Sequence, residues 1–432
     1  MDQLSDALPT KPWSSAKKVF FRAGFLFLTL FIFLYRNEIL PPDNAFYGFV
    51  TWPMQRLIPW LGKHVLHLPY VVPDLGSFDT TYDYVMLLLI TLLTLLGTLV
   101  WTLLDRRSTH YKVLYSWLTV LIRYYSAFSM VTYGLCKLYN VQFPFPSPSA
   151  LLEPFGSFSP MHVAWSFFSY SRTYNFLVGV AEVTAGVLLL FRRTTRVGAI
   201  LLLVLIGNIM AINYLYDVCL KIVSTALLIM ALILLAQEGR RLVDFFFRNK
   251  PTAPESDWKP RFRQKWVPRT LVFLKWGLMA GYLLTINIAL TGIVKQYGNG
   301  GHSPFHGVFN VQTYVKNGDT LAPLLTDTSR WRRLVVTDYG DFAYASVRLM
   351  NDSARSFELK VDTLARKLTL RGRADSTKKF IFDYSFTGAD SLRLQGNWKG
   401  DPVSIFLRKQ DLNRLTLISR GFHFINEGPY QR

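Results

Sequence analysis

Two charged residues fall inside long apolar stretches of this sequence: Arg123 within Val113–Tyr139 and Glu182 within Tyr174–Phe191. A charge at bilayer depth is costly unless paired or hydrated, so each needs a reason. At about 1.5 Å per residue, Arg123 lies roughly 16 Å into its stretch. If the two stretches are consecutive antiparallel helices, the charges share a depth and pair. Such a pair either pins two helices together or moves a proton or anchors a ligand. A second polar group lies nearer the outer surface: Lys137, Asn213, Asp217 and Lys221. The last three are spaced i, i+4, i+8 and would share a face if helix continued through them, with Asp217 pairing with Lys137 or Lys221. Two lysines around one aspartate leave a positive spot suited to an anionic or quinone-carbonyl ligand. The plainer reading is lysines snorkelling to the interface. A third group, His423, Asn426 and Glu427, sits in an aromatic-rich chain end. It reads either as a docking segment or as a site where His and Glu do acid–base or metal chemistry. Cys136 and Cys219 are either small packing residues or, in an oxidising compartment, a disulfide. His64 and His67 lack an acidic or Cys partner, so no metal site is assigned. Nor is any catalytic residue, since no phosphate loop, serine elbow or zinc-protease motif is present.

The elements that carry these residues are membrane spans. The chain has 432 residues, 50% hydrophobic and 15% aromatic, with a mean hydropathy of only +0.21. That mixture implies two parts of different character. Seven stretches approach the ~20 residues needed to cross ~30 Å of hydrocarbon: Val19–Tyr35, Tyr84–Leu104, Val113–Tyr139, Tyr174–Phe191, Val197–Tyr214, Val218–Ala236 and Leu271–Val294. Lipid offers no partner to a bare N–H or C=O, so each must be helical. The net charge of +20 is explained by basic loops rather than by nucleic acid. Lys11, Lys17 and Lys18, then Arg106, Arg107 and Lys112, then Arg192, Arg193 and Arg196, then the run from Arg240 to Arg269 occupy alternate connections. By the positive-inside rule these are cytoplasmic, as is the N-terminus, and everything after Val294 is outside. On the outer side, Phe46–Leu68 reads as Trp-rich interfacial helices broken at Pro53 and Pro59. Ser159-Pro160 reads as an N-cap opening a short aromatic helix to Tyr170.

After the joint Gly298-Asn299-Gly300-Gly301 the hydrophobic period becomes two. Strands are expected at Val335-Val336, Phe342–Leu349, Phe357–Val361, Lys367–Leu370, Lys379–Phe386, Ser391–Leu394, Val403–Leu407 and Leu415–Ile418. Short strands at this spacing indicate an antiparallel barrel or sandwich. The predicted fold is therefore a multi-pass α-helical membrane protein with a C-terminal all-β domain. Its parts are a two-helix extension with an interfacial loop (1–110), a four-helix unit (111–236), a basic loop with the seventh span (237–297) and the β domain (298–432).

The four-helix unit resembles the DoxX-like family of small membrane proteins. The matching residues are Gly134-Leu135-Cys136-Lys137-Leu138, Gly179-Val180-Ala181-Glu182 followed by Gly186, the basic turn Arg192–Arg196, and Gly198-Ala199. The resemblance implies a bacterial inner-membrane protein in which Lys137 and Glu182 are the family-typical polar positions. It further implies a redox-associated role, with quinone as the cofactor or partner. Two added N-terminal helices, one added after the unit and the β domain depart from the family pattern. The alternative is a non-enzymatic scaffold or lipophile-binding protein whose β domain carries the binding. Gly307-Val308-Phe309 and Arg420 resemble the opening and closing residues of lipocalin-like barrels, although the usual Trp is absent. Eight-stranded barrels can hold one small apolar ligand.

Overall fold

The computed structural model describes residues 12–35, 45–69, 71, 78–251, 264, 266–298, 303–339, 342–373, 375 and 377–424. The chain divides into two compact units: Met1–Phe143 with Ser159–Leu290, and Pro144–Phe158 with Thr291–Arg432.

The first unit is helical: α1 (Ser15–Leu34), α2 (Ala45–His64), α3 (Thr81–Leu104), α4 (Lys112–Leu138), α5 (Pro160–Tyr170), α6 (Arg172–Leu190), α7 (Thr195–Leu215), α8 (Lys221–Ala236), α9 (Gly239–Phe246) and α10 (Trp266–Gly298), which runs on into the second. All seven apolar stretches are helices. Among the described residues, α3, α6, α7 and α10 are long and apolar enough to cross a membrane. Helices α8 and α9, bent by 74° at their break, add a fifth if they form one span. The polar groups of α1 and α4 turn inward: Arg22, Arg123, Ser126, Ser129, Thr132 and Lys137 are all buried.

Local chemistry sets several helix ends. Ser159 Oγ accepts the His162 N–H, capping α5 with proline at its first turn as expected. Asp79 reaches from the loop before α3 to accept the N–H groups of Leu220, Lys221 and Ile222 at 2.7, 2.6 and 3.1 Å. A carboxylate there satisfies donors that the first turn of α8 leaves open. Helix does not continue from α7 into α8, because Asp217 and Leu220 have φ of 50° and 100°. Asn213, Asp217 and Lys221 therefore share no helical face.

At the end where α1 starts, Arg22 Nε donates to Tyr111 (2.9 Å), and its terminal nitrogens donate to Thr102 (2.9 Å) and the Asp105 carbonyl (2.8 Å). Tyr111 in turn donates to the Asp105 carboxylate at 2.7 Å. Hydrogen bonds from Ser108 and Tyr111 hold the Asp105 carboxyl well below the usual range. One expectation fails in this unit: α2 is a single helix with Pro53 and Pro59 inside it rather than broken pieces. The two prolines remove only two internal N–H donors, and the chain absorbs them without leaving the helical region.

The second unit is a barrel. Strands β1 (Gly307–Lys316), β2 (Asp319–Thr320), β3 (Trp331–Asp338), β4 (Ala343–Leu349), β5 (Ala354–Asp362), β6 (Lys367–Gly372), β7 (Lys379–Gly388), β8 (Ser391–Trp398) and β9 (Asp401–Lys409) pair antiparallel. β9 returns to β1, from Phe309 opposite Lys409 to Lys316 opposite Val403, which closes eight strands. β2 only extends the β1 hairpin, through Val315 opposite Thr320. The barrel alternative is thus the correct one. Closure also explains why Leu415–Ile418 is not a strand: no edge is left to pair with. Those residues instead fall at a one-turn 3-10 helix (Leu412–Arg414) and the short α11 (Thr416–Ser419). Alternation sends Phe309, Leu334, Val336, Val347, Leu368, Leu370, Phe382, Leu392, Leu394, Ile405 and Leu407 into the interior. The joint at 299–301, most of the basic loop (252–263 and Lys265) and the turn residues 340–341 lie outside the described residues.

Candidate functional site

Helices α4 and α6 pack at glycine contacts that fix their register. A Cβ on Gly134 would lie 2.7 Å from the Gly179 carbonyl oxygen, and one on Gly186 would lie 2.7 Å from that of Ala127. As the α6 number rises the α4 number falls, so the helices are antiparallel and their backbones touch.

That register decides which charges meet. Lys137 is one turn beyond Gly134 and Glu182 is one turn beyond Gly179, in opposite directions along the pair, so their Cα atoms are offset by about 9 Å along the axis. Side chains tilt toward their own helix N-terminus. On antiparallel helices these two lean toward each other, and Lys137 Nζ reaches Glu182 Oε2 at 2.8 Å. Arg123 lies about 12 Å from Glu182 along the axis, and the tilt carries the two apart. The expected Arg123–Glu182 pair is therefore wrong: Glu182 takes Lys137. Arg123 instead places its guanidinium 5.2 Å from the Tyr124 ring centroid, and it lines a different cavity.

The Lys137–Glu182 pair is almost fully desolvated, at 6% and 0% side-chain exposure. Lys137 Nζ also donates to Gln142 at 2.9 Å. Asn175 Nδ2 donates to Asn140 Oδ1 at 3.2 Å. Glu182 Oε1 has no hydrogen-bond partner among the described residues. The pair lies on the wall of a cavity of about 330 Å³ formed by α4 to α8. Phe143, Trp165, Phe168, Tyr174, Ile209 and Leu227 supply much of its apolar lining, and Asn213 and Ser224 are polar groups on the α7 and α8 side. Asn213 donates to Ser224 at 3.1 Å. At the charged end, Lys137 can donate one further hydrogen bond and Glu182 can accept one.

The other sequence-derived candidates separate from this centre. Asp217 pairs with Lys221 at 2.9 Å and is 82% exposed, so neither supports the pocket and the two-lysine spot does not form. Cys136 and Cys219 are not joined by a disulfide. His423 lies in exposed coil after α11, while Asn426 and Glu427 lie outside the described residues. Among the described residues, no group of three His, Cys, Asp or Glu is arranged to hold a metal ion. The reading from sequence missed Gln142, Asn175 and the aromatic wall. The wall comes largely from α5 and the loop before it, whose contacts local pattern does not reveal.

No family model matches the chain, and no solved structure matches it. It is 37% identical over 129 residues to the uncharacterized protein YwoB of Bacillus subtilis (strain 168). The match covers 30% of this chain and 81% of that protein. Through that segment the chain belongs to the same family as YwoB.

Proposed function

We propose that this protein is a multi-pass protein of the bacterial inner membrane whose helical unit binds a membrane-soluble lipophile, with an isoprenoid quinone as the best-fitting class. The observation that carries the reading is the desolvated Lys137–Glu182 pair on the wall of an aromatic and aliphatic cavity. An apolar pocket with a few convergent polar groups suits a ligand that has an apolar body and one polar head. A quinone carbonyl would accept from Lys137, and a quinol hydroxyl would donate to Glu182 Oε1. The DoxX-like reading of residues 111–236 and the redox-associated role stand on the same two residues. Seven spans, a cytoplasmic N-terminus and an external barrel complete the arrangement, supported by the charge of the loops. The barrel is the weaker candidate for lipophile binding. Trp331, Phe382 and Trp398 pack edge-to-face or tilted within it at centroid distances of 4.8 to 6.5 Å and occupy the space that a ligand would need.

The test is mass spectrometry of small molecules retained by the full-length protein purified in detergent. Wild type should carry a quinone or related lipophile. Ile209→Trp, which fills the cavity, should carry much less. Equal retention by Ile209→Trp and by Glu182→Gln would refute the reading.

A further inference from the structure

We propose that a second cavity, at the end of the helical unit where α4 begins, binds the phosphate of an anionic lipid. It has a volume of about 170 Å³, and its charged lining is Arg123, Arg192, Arg196 and Glu238. Arg123 is only 8% exposed, and the tilt of a helical side chain carries it toward the N-terminus of α4. Arg192 comes from the turn between α6 and α7, and Arg196 from the first turn of α7. Glu238, between α8 and α9, accepts from Arg196 Nε at 2.7 Å and also from Arg241. The lining thus carries three guanidinium groups against one carboxylate, and a fourth arginine already shares that carboxylate.

Such a surplus, partly withdrawn from water, calls for an anion. Guanidinium forks match the geometry of phosphate oxygens, with two parallel donors per group. Gln237 adds a neutral amide donor to the lining. The volume corresponds to roughly six waters at about 30 Å³ each, enough for a phosphate and its linking oxygens but cramped for a nucleotide. Apolar surface identifies the source of the phosphate. Trp117, Leu234 and Leu235 line the cavity beside the arginines, and Val113 and Val197 on the flanking helices are largely exposed. A free anion would leave these groups against water, whereas a lipid would cover them with its chains. Basic pockets between membrane helices on the cytoplasmic side recognise anionic headgroups in this way, and the orientation proposed above puts this end in the cytoplasm.

The experiment follows thermal unfolding of the full-length protein in neutral detergent. Phosphatidylglycerol, phosphatidylcholine and inorganic phosphate are added in turn at matched ionic strength. Phosphatidylglycerol should raise the midpoint and the other two should not. Arg192→Gln removes an exposed arginine and should fold normally. It should weaken the apparent affinity for phosphatidylglycerol about fivefold, the equivalent of about 1 kcal/mol for one arginine near a membrane surface. Arg192→Gln with Arg196→Gln should weaken it further, and Arg248→Gln, beyond α9, should leave it unchanged. Equal stabilisation by inorganic phosphate would overturn the lipid assignment in favour of a soluble anion. A phosphatidylglycerol response that survives both arginine variants, or that falls equally in Arg248→Gln, would overturn the site itself.

Discussion

Removing one member of the Lys137–Glu182 pair should destabilise the helical unit far more than removing both. At 2.8 Å and an effective dielectric of about 20, the gross attraction is about 6 kcal/mol. Desolvating the two ions offsets that by several kcal/mol each, so the intact pair adds little net stability. Breaking it from one side is different, because the remaining charge stays buried without its counter-ion, at a typical cost of about 3–5 kcal/mol. Lys137→Met leaves the Glu182 carboxylate, 0% exposed, with neither oxygen hydrogen-bonded. For a unit of this size it should lower the midpoint in detergent by about 10 °C. Glu182→Gln should cost less, since the amide oxygen can still accept from Lys137. Lys137→Met with Glu182→Leu should recover most of the loss. Fluorescence-detected unfolding of the full-length protein reads all four forms. The register argument is refuted if Lys137→Met is silent, or if Glu182→Leu rescues Arg123→Met instead. If the double variant is as stable as wild type yet retains no lipophile, the pair serves binding rather than folding.

Three further outcomes follow. In a background lacking Cys136 and Cys219, an impermeant thiol reagent applied to intact cells should label a cysteine placed at Asp375 and miss one placed at Lys250; the reverse pattern would invert the proposed orientation. Gly179→Leu should collapse the α4–α6 contact, because its Cβ alone would lie 2.9 Å from the Gly134 carbonyl oxygen, and the purified protein should unfold earlier and lose the proposed lipophile together. Asp105 has a folded pKa held below its unfolded value by Ser108 and Tyr111, so its contribution is present above about pH 4 and is lost as pH falls toward the folded value; Asp105→Asn should therefore lower the midpoint at pH 7, and the gap to wild type should narrow steadily below pH 4.

The architecture was largely legible because its signals are local. Apolar runs of span length and strict alternation after residue 300 reflect what a backbone must do in lipid or in a half-buried sheet, so the helices and most strands fall where the sequence places them. The failures share a different origin. Leu415–Ile418 alternates like a strand, but strand pairing depends on a free edge, and the β1–β9 closure that removes it spans about a hundred residues. Helix α2 keeps Pro53 and Pro59, which local propensity reads as breaks. The grouping of Pro144–Phe158 with the second unit rests on long-range contacts, such as the 2.8 Å pair between Glu153 and Arg348. The aromatic wall of the cavity is of the same kind.

The mispaired charges are the instructive case, since the right answer was present in the residues. Depth alone put Arg123 and Glu182 together, because each sits near the middle of its apolar stretch. Depth is a poor guide when the anchor point of two helices is unknown. The anchor here is a pair of glycines, since only glycine permits the approach at which a Cβ on either residue would strike the other's carbonyl. Once Gly134 and Gly179 are superposed, the two segments read alike: Gly134-Leu135-Cys136-Lys137 and Gly179-Val180-Ala181-Glu182. Each places a charge three residues past the contact glycine. On antiparallel helices that spacing sends the two Cα atoms to opposite sides of the contact, and the tilt of each side chain toward its own N-terminus brings the charged ends back together. A four-methylene lysine spans most of the gap, so the arrangement tolerates Glu182→Asp poorly and Lys137→Arg only if the fork finds room beside Gln142. The paired Gly-x-x-Lys and Gly-x-x-Glu segments thus specify both the packing of α4 on α6 and the charge at the head of the cavity. A change at either glycine acts on the site without touching it.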